Sequence, residues 1–283
     1  RRMDTSIKRI GKDDEKFPRL LKEISECPEG LFYTGSLDCV SPAVSIVGTR
    51  KASAEGKAAA RHISESLAKK GFLIISGMAL GIDAAAHEGA LDARGMTWAV
   101  LACGLDRPYP PEHTSLFNRI VKSGGAVLSE YEAGTEPFRN QFLERNRIIS
   151  GLSIATVVFV SSSRSGSLVT ARHASEQGRE VFVVPGSVNS YNYKGSHLLL
   201  RKGARLVTNV DDVIEDVRSL GLQYPDVSKL LGDDFTDVSS RQPSFVDESQ
   251  KQVFEFLLGF GGVASIDNIA ETTKLEPHVV SQS

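Results

Sequence analysis

Short apolar runs alternate with amphipathic stretches along most of the chain. The runs are continuous, with few polar residues among them, as is typical of strands buried on both faces of a parallel sheet. Between the runs, apolar residues recur at helical spacing, as Ile63 and Leu67 do on one face of a stretch whose other faces carry charges. The predicted strands are 44–47, 72–76, 98–102, 126–128, 154–160, 180–184 and 205–207.

This alternation of strand and helix predicts a doubly wound, mostly parallel α/β sheet over residues 40–218. Residues 1–39 are predicted to form a short helical lead-in, because 17–24 is amphipathic and Pro28 ends the pattern. Residues 219–246 are rich in Asp, Ser and Pro and are predicted to be a linker. Helical periodicity returns in 247–283, in an order similar to the opening of a winged-helix domain.

The turn after the first predicted strand has the residues of an anion site. Ligands of open parallel sheets bind outside the carboxyl ends of the strands, and here the chain continues as Gly48, Thr49, Arg50 and Lys51. Thr49 can donate to a phosphate and Arg50 can hold one with two hydrogen bonds. The alternative is a tight turn with a solvated arginine. The fingerprint GxGxxG is absent, which disfavours a dinucleotide cofactor.

Two later turns have similar chemistry. Ser76 and Gly77 follow the second strand, and Ser165, Gly166 and Ser167 precede a helix whose free N–H groups and dipole favour an anion. Downstream of Ser76, Asp83 and His87 are four residues apart. They are either an acid–base or metal-binding pair, or a helix cap with a buried histidine; the second interpretation is favoured because no third ligand lies nearby.

Aromatic, amide and arginine side chains are interleaved over 137–147. Phe142, Arg145, Asn146 and Arg147 belong to this stretch, in which rings stand beside guanidinium groups. Such surfaces suit the exposed faces of unpaired bases. The alternative is that Phe142 is an ordinary core residue at helical spacing.

Charge is distributed unevenly, although the formal net charge is only −2. Residues 139–205 carry ten Lys and Arg against three acids, whereas 206–283 carry five against fourteen. A basic middle followed by an acidic end fits an anion-binding core joined to a segment with another task, such as meeting a protein partner. The alternative is solvated faces without a role.

Composition narrows the function classes further. No apolar run approaches the roughly 20 residues that span a bilayer, and the first residues have no apolar signal core, so a cytoplasmic protein with no membrane contact is expected. The three cysteines lack a CxxC pair, which supports neither a disulfide framework nor a zinc site. A nucleophile elbow, a Walker motif and HExxH are missing, so an enzyme is not the leading interpretation and no cofactor or metal is predicted.

Several linked motifs carry a resemblance to a known family. In chain order they are VGTR (47–50), SGMALGIDAAAH (76–87), GLDRPYP (104–110), SEYEAGTEP (129–137), FLERNRIISGLS (142–153), SGSLVTARHASEQGR (165–179) and VPG (184–186). Together, in this order and spacing, they resemble the DNA-processing protein A family, also called Smf. The resemblance covers 17–217.

The resemblance implies an extended Rossmann-like domain that binds single-stranded DNA, forms a homodimer and loads RecA recombinase onto incoming strands during natural transformation. It assigns Arg50 to a phosphate, places Phe142, Arg145 and Arg147 beside the DNA, and puts the turn at 165–167 near a phosphate. The complete predicted DNA-binding set is Gly48, Thr49, Arg50, Lys51, Ser76, Gly77, Phe142, Arg145, Asn146, Arg147, Ser165, Gly166 and Ser167.

Two other functions stay open at this point. Related Rossmann-like hydrolases cleave nucleoside monophosphates with a carboxylate at a helix start, but the comparable turn here, SRSGSLVTAR, has no acid before Glu176. The other possibility is a scaffold with a vestigial pocket and an acidic tail that binds partners.

Overall fold

A computed structural model describes residues 6–39, 41–162, 165–221, 223–232, 252–253 and 266–274. The chain divides into two compact units, 1–232 and 233–283. The first unit contains the sheet. In the second, the described helix is Ile266–Thr273, within the stretch predicted to resume helical periodicity. The remaining winged-helix prediction lies outside the described residues.

In the described part of the chain, nine strands form a single sheet in the order β1-β2-β6-β5-β4-β3-β7-β8-β9. Strands β3 to β9 pair in parallel, while β1 and β2 pair antiparallel at one edge. The predicted α/β class is therefore confirmed, and all seven predicted strands are present within two residues. The strands are β1 Lys8–Gly11, β2 Gly30–Gly35, β3 Ala43–Gly48, β4 Leu73–Ser76, β5 Thr97–Leu101, β6 Ala126–Ser129, β7 Ala155–Phe159, β8 Glu180–Val183 and β9 Arg205–Leu206.

Helices cover both faces of the sheet. Along β3, Val44 and Ile46 pack against one layer, whereas Val47 packs against the other, which explains why the strand has no polar face. The first unit contains α1 Arg19–Lys22, α2 Ala54–Lys69, α3 Ile82–Asp92, α4 Thr114–Lys122, α5 Arg139–Gly151, α6 Gly166–Glu176, α7 Lys194–Arg201, α8 Val210–Arg218 and α9 Pro225–Leu231. One apolar cluster includes residues of α2, α3, α8 and α9, and a second includes residues of α1, α5 and α6. A third joins α4 to β5 and β6.

The predicted helical lead-in differs from the structure. Within the described residues 6–39, α-helix is confined to the four residues of α1, and β1 and β2 flank it. Strand β2 pairs with β6, with Phe32 opposite Ser129. The amphipathic pattern was correct in one respect, since Phe17 and Leu21 are buried. Strand β2 was missed because it joins the sheet through β6, about 90 residues later in the chain, and β1 pairs in turn with β2.

The first part of the predicted linker also differs. Pro225 begins α9, where a missing N–H costs nothing, and Val227 is buried in the core. The Tyr224 hydroxyl accepts a hydrogen bond of 2.9 Å from Arg179. The burial of a few apolar side chains is therefore enough to fold this stretch into a helix despite its polar composition. Residues 233–246 lie outside the described residues.

Asp83 and His87 are two buried residues, each hydrogen-bonded to a different neighbour, which indicates a structural role rather than a reaction centre. The Asp83 carboxylate accepts a hydrogen bond of 3.1 Å from the Gly77 amide. His87 Nδ1 lies 2.7 Å from the Thr97 hydroxyl, which itself donates to the Ile74 carbonyl. The hydroxyl proton is thus in use, so Nδ1 must carry a hydrogen and donate it. Burial lowers the pKa of His87 to about 3 and keeps the ring neutral.

Acid is expected to destabilise the protein through His87. Its pKa falls from 6.5 in the unfolded chain to about 3 in the fold. The stabilisation is complete above pH 6.5 and is lost as the pH falls towards 3, by roughly 1 kcal/mol per pH unit. Urea unfolding at pH 7.5 and 5 measures this loss. The variant His87→Gln, which keeps a donor to Thr97 but does not titrate, should lose less stability over this interval; equal losses in both proteins would contradict the assignment.

Candidate functional site

The strand order reverses between β3 and β7, and a groove opens at that point. The chain adds β4, β5 and β6 on one side of β3, then returns through α5 to add β7 and β8 on the other. Such a reversal leaves a crevice outside the carboxyl ends of the strands. Here it has a volume of about 840 Å³ and is lined by the turn after β3, the first two turns of α5 and the start of α6. We call it the switch-point groove.

An arginine and two aromatic rings form one wall of the groove. The Arg50 guanidinium lies 4.8 Å from the centre of the Phe142 ring. The Phe142 ring meets Tyr109 edge to face, with centroids 5.7 Å apart. This contact orients Arg50, which is exposed to solvent and keeps its outward N–H groups available. The arrangement offers a charged fork and an aromatic surface side by side.

Arg139 adds a second positive charge that the sequence prediction did not include. It is exposed, lines the groove and lies one helical turn before Phe142 on α5. Within the residues that the structure describes, neither Arg50 nor Arg139 forms an ion pair with a carboxylate. Helical spacing was the available signal, because Arg139, Phe142 and Asn146 share a face.

The serine turn closes the opposite wall. Ser165 caps α6 by accepting a hydrogen bond of 3.3 Å from the Ser167 amide, and the two hydroxyls lie 2.7 Å apart. Ser167 donates in turn to the Ser161 hydroxyl at 3.0 Å. Among the described residues, no atom lies within 4 Å of where a Gly166 side chain would begin. This end of an eleven-residue helix therefore presents its positive dipole to the groove.

The remaining residues of the first turn support its shape. Gly48 ends β3 against the Phe159 carbonyl. The Thr49 hydroxyl accepts a hydrogen bond of 3.2 Å from the Lys51 amide, which holds the turn after β3. Lys51 itself is exposed. Thr49 and Arg50 line the groove, and the turn thus places Arg50 at its wall.

Ser76 and Gly77 were predicted as a second anion cradle, but the structure does not place them on the surface. Ser76 is fully buried, and its hydroxyl donates to the Ile46 carbonyl at 2.6 Å. Gly77 lies against the guanidinium of Arg145, where a side chain would clash. Both residues belong to the protein interior beneath the groove, because their polar atoms are needed to satisfy buried neighbours.

Arg145, another residue of the predicted DNA-binding set, is buried at the floor of the groove. It is 4% exposed and donates to the carbonyls of Gly77, at 2.9 Å, and Val100. Burial is the main cause that lowers its pKa to about 10, while the charge of Asp83 works in the opposite direction. Burial likewise raises the pKa of Asp83 against the effect of Arg145. These two groups form the polar floor of the groove.

Arg147 and Asn146 also have structural partners. Arg147 donates to both carboxylate oxygens of Glu130, at 2.8 and 2.9 Å, and does not line the groove. Asn146 lines the groove and donates to the Gly166 carbonyl at 3.2 Å, which ties α5 to the start of α6. Three residues of the predicted cluster on α5 line the groove: Phe142 and Asn146 on its wall and the buried Arg145 at its floor. Arg147 does not.

Membrane-spanning helices and metal sites were both sought within the described ranges. No helix there is both long and apolar enough to cross a membrane. In the same part of the chain, no group of three His, Cys, Asp or Glu side chains has the geometry to hold a metal ion.

Comparison with known proteins identifies a family and several relatives that match this chain. The model of the family described as DNA recombination-mediator protein A matches residues 8–218. A Bacillus subtilis relative, DNA processing protein DprA, is 37% identical over 223 residues, covering 78% of this chain and 75% of that protein. A DprA relative from Mycobacterium tuberculosis is 42% identical over 242 residues and covers 85% of the chain. The chain spans 59% of the length of that relative.

Two solved structures share the fold. The X-ray structure of DNA processing protein A from Streptococcus pneumoniae has a TM-score of 0.70 at 39% identity and covers 74% of each chain. The Helicobacter pylori protein, described for its single-stranded DNA binding mode, has a TM-score of 0.68 at 30% identity, covering 77% of this chain and 98% of its own. With a family model that matches most of the sheet-forming unit and relatives at these identities, the chain belongs to the DNA recombination-mediator protein A family, whose members are named DprA or Smf.

Proposed function

We propose that this protein binds single-stranded DNA in the switch-point groove and acts as a recombination mediator. The observation that carries the proposal is Arg50 held 4.8 Å over the Phe142 ring, opposite the start of α6. Arg50 and the helix start bind phosphates, and the ring supplies a surface on which a base stacks. The likeness to the Helicobacter pylori protein supports the same ligand.

Single strands suit this groove better than a duplex. Base faces are covered in a double helix and open in a single strand, so an aromatic wall rewards only the unpaired form. Phosphate contacts by themselves would not discriminate in this way. A strand held mainly through its backbone also leaves several base edges accessible to another protein.

That accessibility suits delivery of the strand to RecA recombinase, with natural transformation as the process served. The family description as a recombination mediator supports this step. Homodimer formation is part of the proposal, and Leu206, half exposed on the edge strand β9, offers an apolar contact for it. We place the protein in the cytoplasm, where these partners meet.

The proposed role requires no catalysis of bond cleavage. Hydrolases of related folds need a carboxylate at the start of the helix that follows the phosphate turn. Glu176 is the last residue of α6, roughly 15 Å from Gly166 at the helical rise, and pairs with Arg172 at 3.7 Å. A carboxylate at that distance does not reach a sugar bound in the groove.

Fluorescence anisotropy with a labelled single-stranded oligonucleotide tests the function. We expect binding that survives duplex competitor and weakens with salt, with a log–log slope of about −0.7 for each phosphate engaged. The salt series separates backbone contacts from stacking, because stacking is less sensitive to ionic strength. Absence of binding at low salt, or equal competition by duplex, would rule out the proposal.

A further inference from the structure

The loop between β8 and α7 exposes apolar surface that the groove does not explain. Val188 is 79% exposed and Tyr191 is 56% exposed. The loop is nevertheless folded, because the Tyr193 ring stacks against His197 with centroids 6.5 Å apart, and His197 Nε2 lies 3.1 Å from the Gly186 carbonyl. A folded loop that presents an aromatic ring to solvent is a candidate binding surface.

The start of α7 is fastened directly to the wall of the switch-point groove. The amides of Gly195 and Ser196 donate to the Ser161 carbonyl at 2.8 and 3.1 Å, and the Ser161 amide donates to the Ser196 hydroxyl at 3.1 Å. A side chain on Gly195 would begin 2.6 Å from the Ser162 carbonyl, so only glycine permits this contact. Ser162 lines the groove. Lys194, the residue before Gly195, is therefore held beside that wall.

The loop repeats the chemistry found at Arg50 and Phe142. Lys194 Nζ lies 5.4 Å from the centre of the Tyr191 ring, which again places a cation on an aromatic surface. Residues 181–204 contain three basic residues, Lys194, Arg201 and Lys202, and no acidic one. A polyanion leaving the groove on this side meets positive charge without a competing carboxylate from the segment.

We propose that Tyr191 and Lys194 form a second DNA contact, which extends the strand path from the switch-point groove past the end of β8. Tyr191 stacks a base and Lys194 contacts a phosphate. The proposal rests on the proposed function, since it lengthens the same path. Because β7 lies between β3 and β8, the two contacts are separated by about two strand spacings, roughly 10 Å or three stacked nucleotides.

Oligonucleotide length separates the two contacts. Anisotropy with oligothymidylates of two and fifteen nucleotides, the first too short to span both contacts, should show that Tyr191→Ala weakens binding of the longer strand about tenfold, the effect of losing one stacked base, and leaves the shorter strand within twofold. Tyr191→Phe, which keeps the ring, should bind as the unmodified protein does. Lys194→Ala should weaken the longer strand severalfold and make its salt slope shallower by about 0.7.

Lys122→Ala is the matched charge control. Lys122 is exposed at the end of α4, which leads into the amino end of β6, away from the groove. The second contact is excluded if Lys194→Ala weakens binding of the longer strand no more than Lys122→Ala does. It is also excluded if Tyr191→Ala leaves that binding unchanged while Arg50→Ala weakens it, and in that case binding in the groove is still supported. Equal weakening of both strand lengths by Tyr191→Ala also excludes a distal contact. Failure of the unmodified protein to bind either strand would instead exclude the proposed function itself.

Discussion

Replacing Arg50 by alanine is expected to weaken binding of single-stranded DNA by about 10- to 100-fold, the equivalent of one charged, two-pronged hydrogen bond to a phosphate. Arg50 is exposed at the groove wall, and stacking on Phe142 orients its guanidinium before DNA arrives. The salt slope should become shallower by about 0.7, because one fewer phosphate is neutralised. Anisotropy over a salt series measures both effects.

Two further variants define the role of Arg50. Arg50→Lys keeps the charge but loses the planar fork, so it should restore the salt slope and only part of the affinity. Arg147→Ala removes an arginine from the same predicted cluster, but one bound to Glu130 outside the groove, and should change affinity less than twofold. If Arg50→Ala and Arg147→Ala lost equal affinity, DNA binding in the groove would be contradicted. The result would place the DNA on the side of α5 that carries Arg147.

Replacing Arg145 by methionine is expected to lower the free energy of unfolding by about 3–5 kcal/mol, the typical cost of removing one partner from a buried charged network. Arg145 donates to the carbonyls of Gly77 and Val100 and offsets the buried charge of Asp83. The variant removes the side-chain donor from both carbonyls and leaves the buried Asp83 without the opposing charge of Arg145. Urea unfolding can be followed by the fluorescence of Trp98, the only tryptophan in the chain, which is buried in β5 beside Val100.

A double variant tests the cause of that loss. Adding Asp83→Asn removes the uncompensated charge, so the double variant should regain part of the stability that Arg145→Met loses. DNA binding by the folded fraction at low temperature should remain, because Arg145 forms the floor of the groove and not its exposed wall. A stable Arg145→Met protein that no longer binds DNA would instead support the sequence-based prediction that Arg145 contacts the strand.

Burial on both faces explains why the inner parallel strands, β3 to β7, could be predicted. A strand such as β3 must be apolar at successive positions, and this pattern is visible in the sequence without knowledge of its neighbours. The glycine- and hydroxyl-rich turns were visible for the same reason, since their chemistry is local. Strand β2 could not be predicted in this way, because an antiparallel edge strand depends on a partner, β6, that follows about 90 residues later.

The sequence by itself determined the fold class, the family motifs and the presence of anion-type turns at the carboxyl edge of the sheet. Only the tertiary structure decided which arginines are exposed in the groove. On α5, residues advance by about 100° each, so Arg145 and Arg147 lie on opposite flanks of the face that carries Arg139 and Phe142. One flank meets buried carbonyls and the other meets Glu130, whereas Arg50 and Arg139 remain exposed in the groove. An arginine satisfied by the protein's own acceptors has no fork left for a phosphate, and only packing determines which arginines those are.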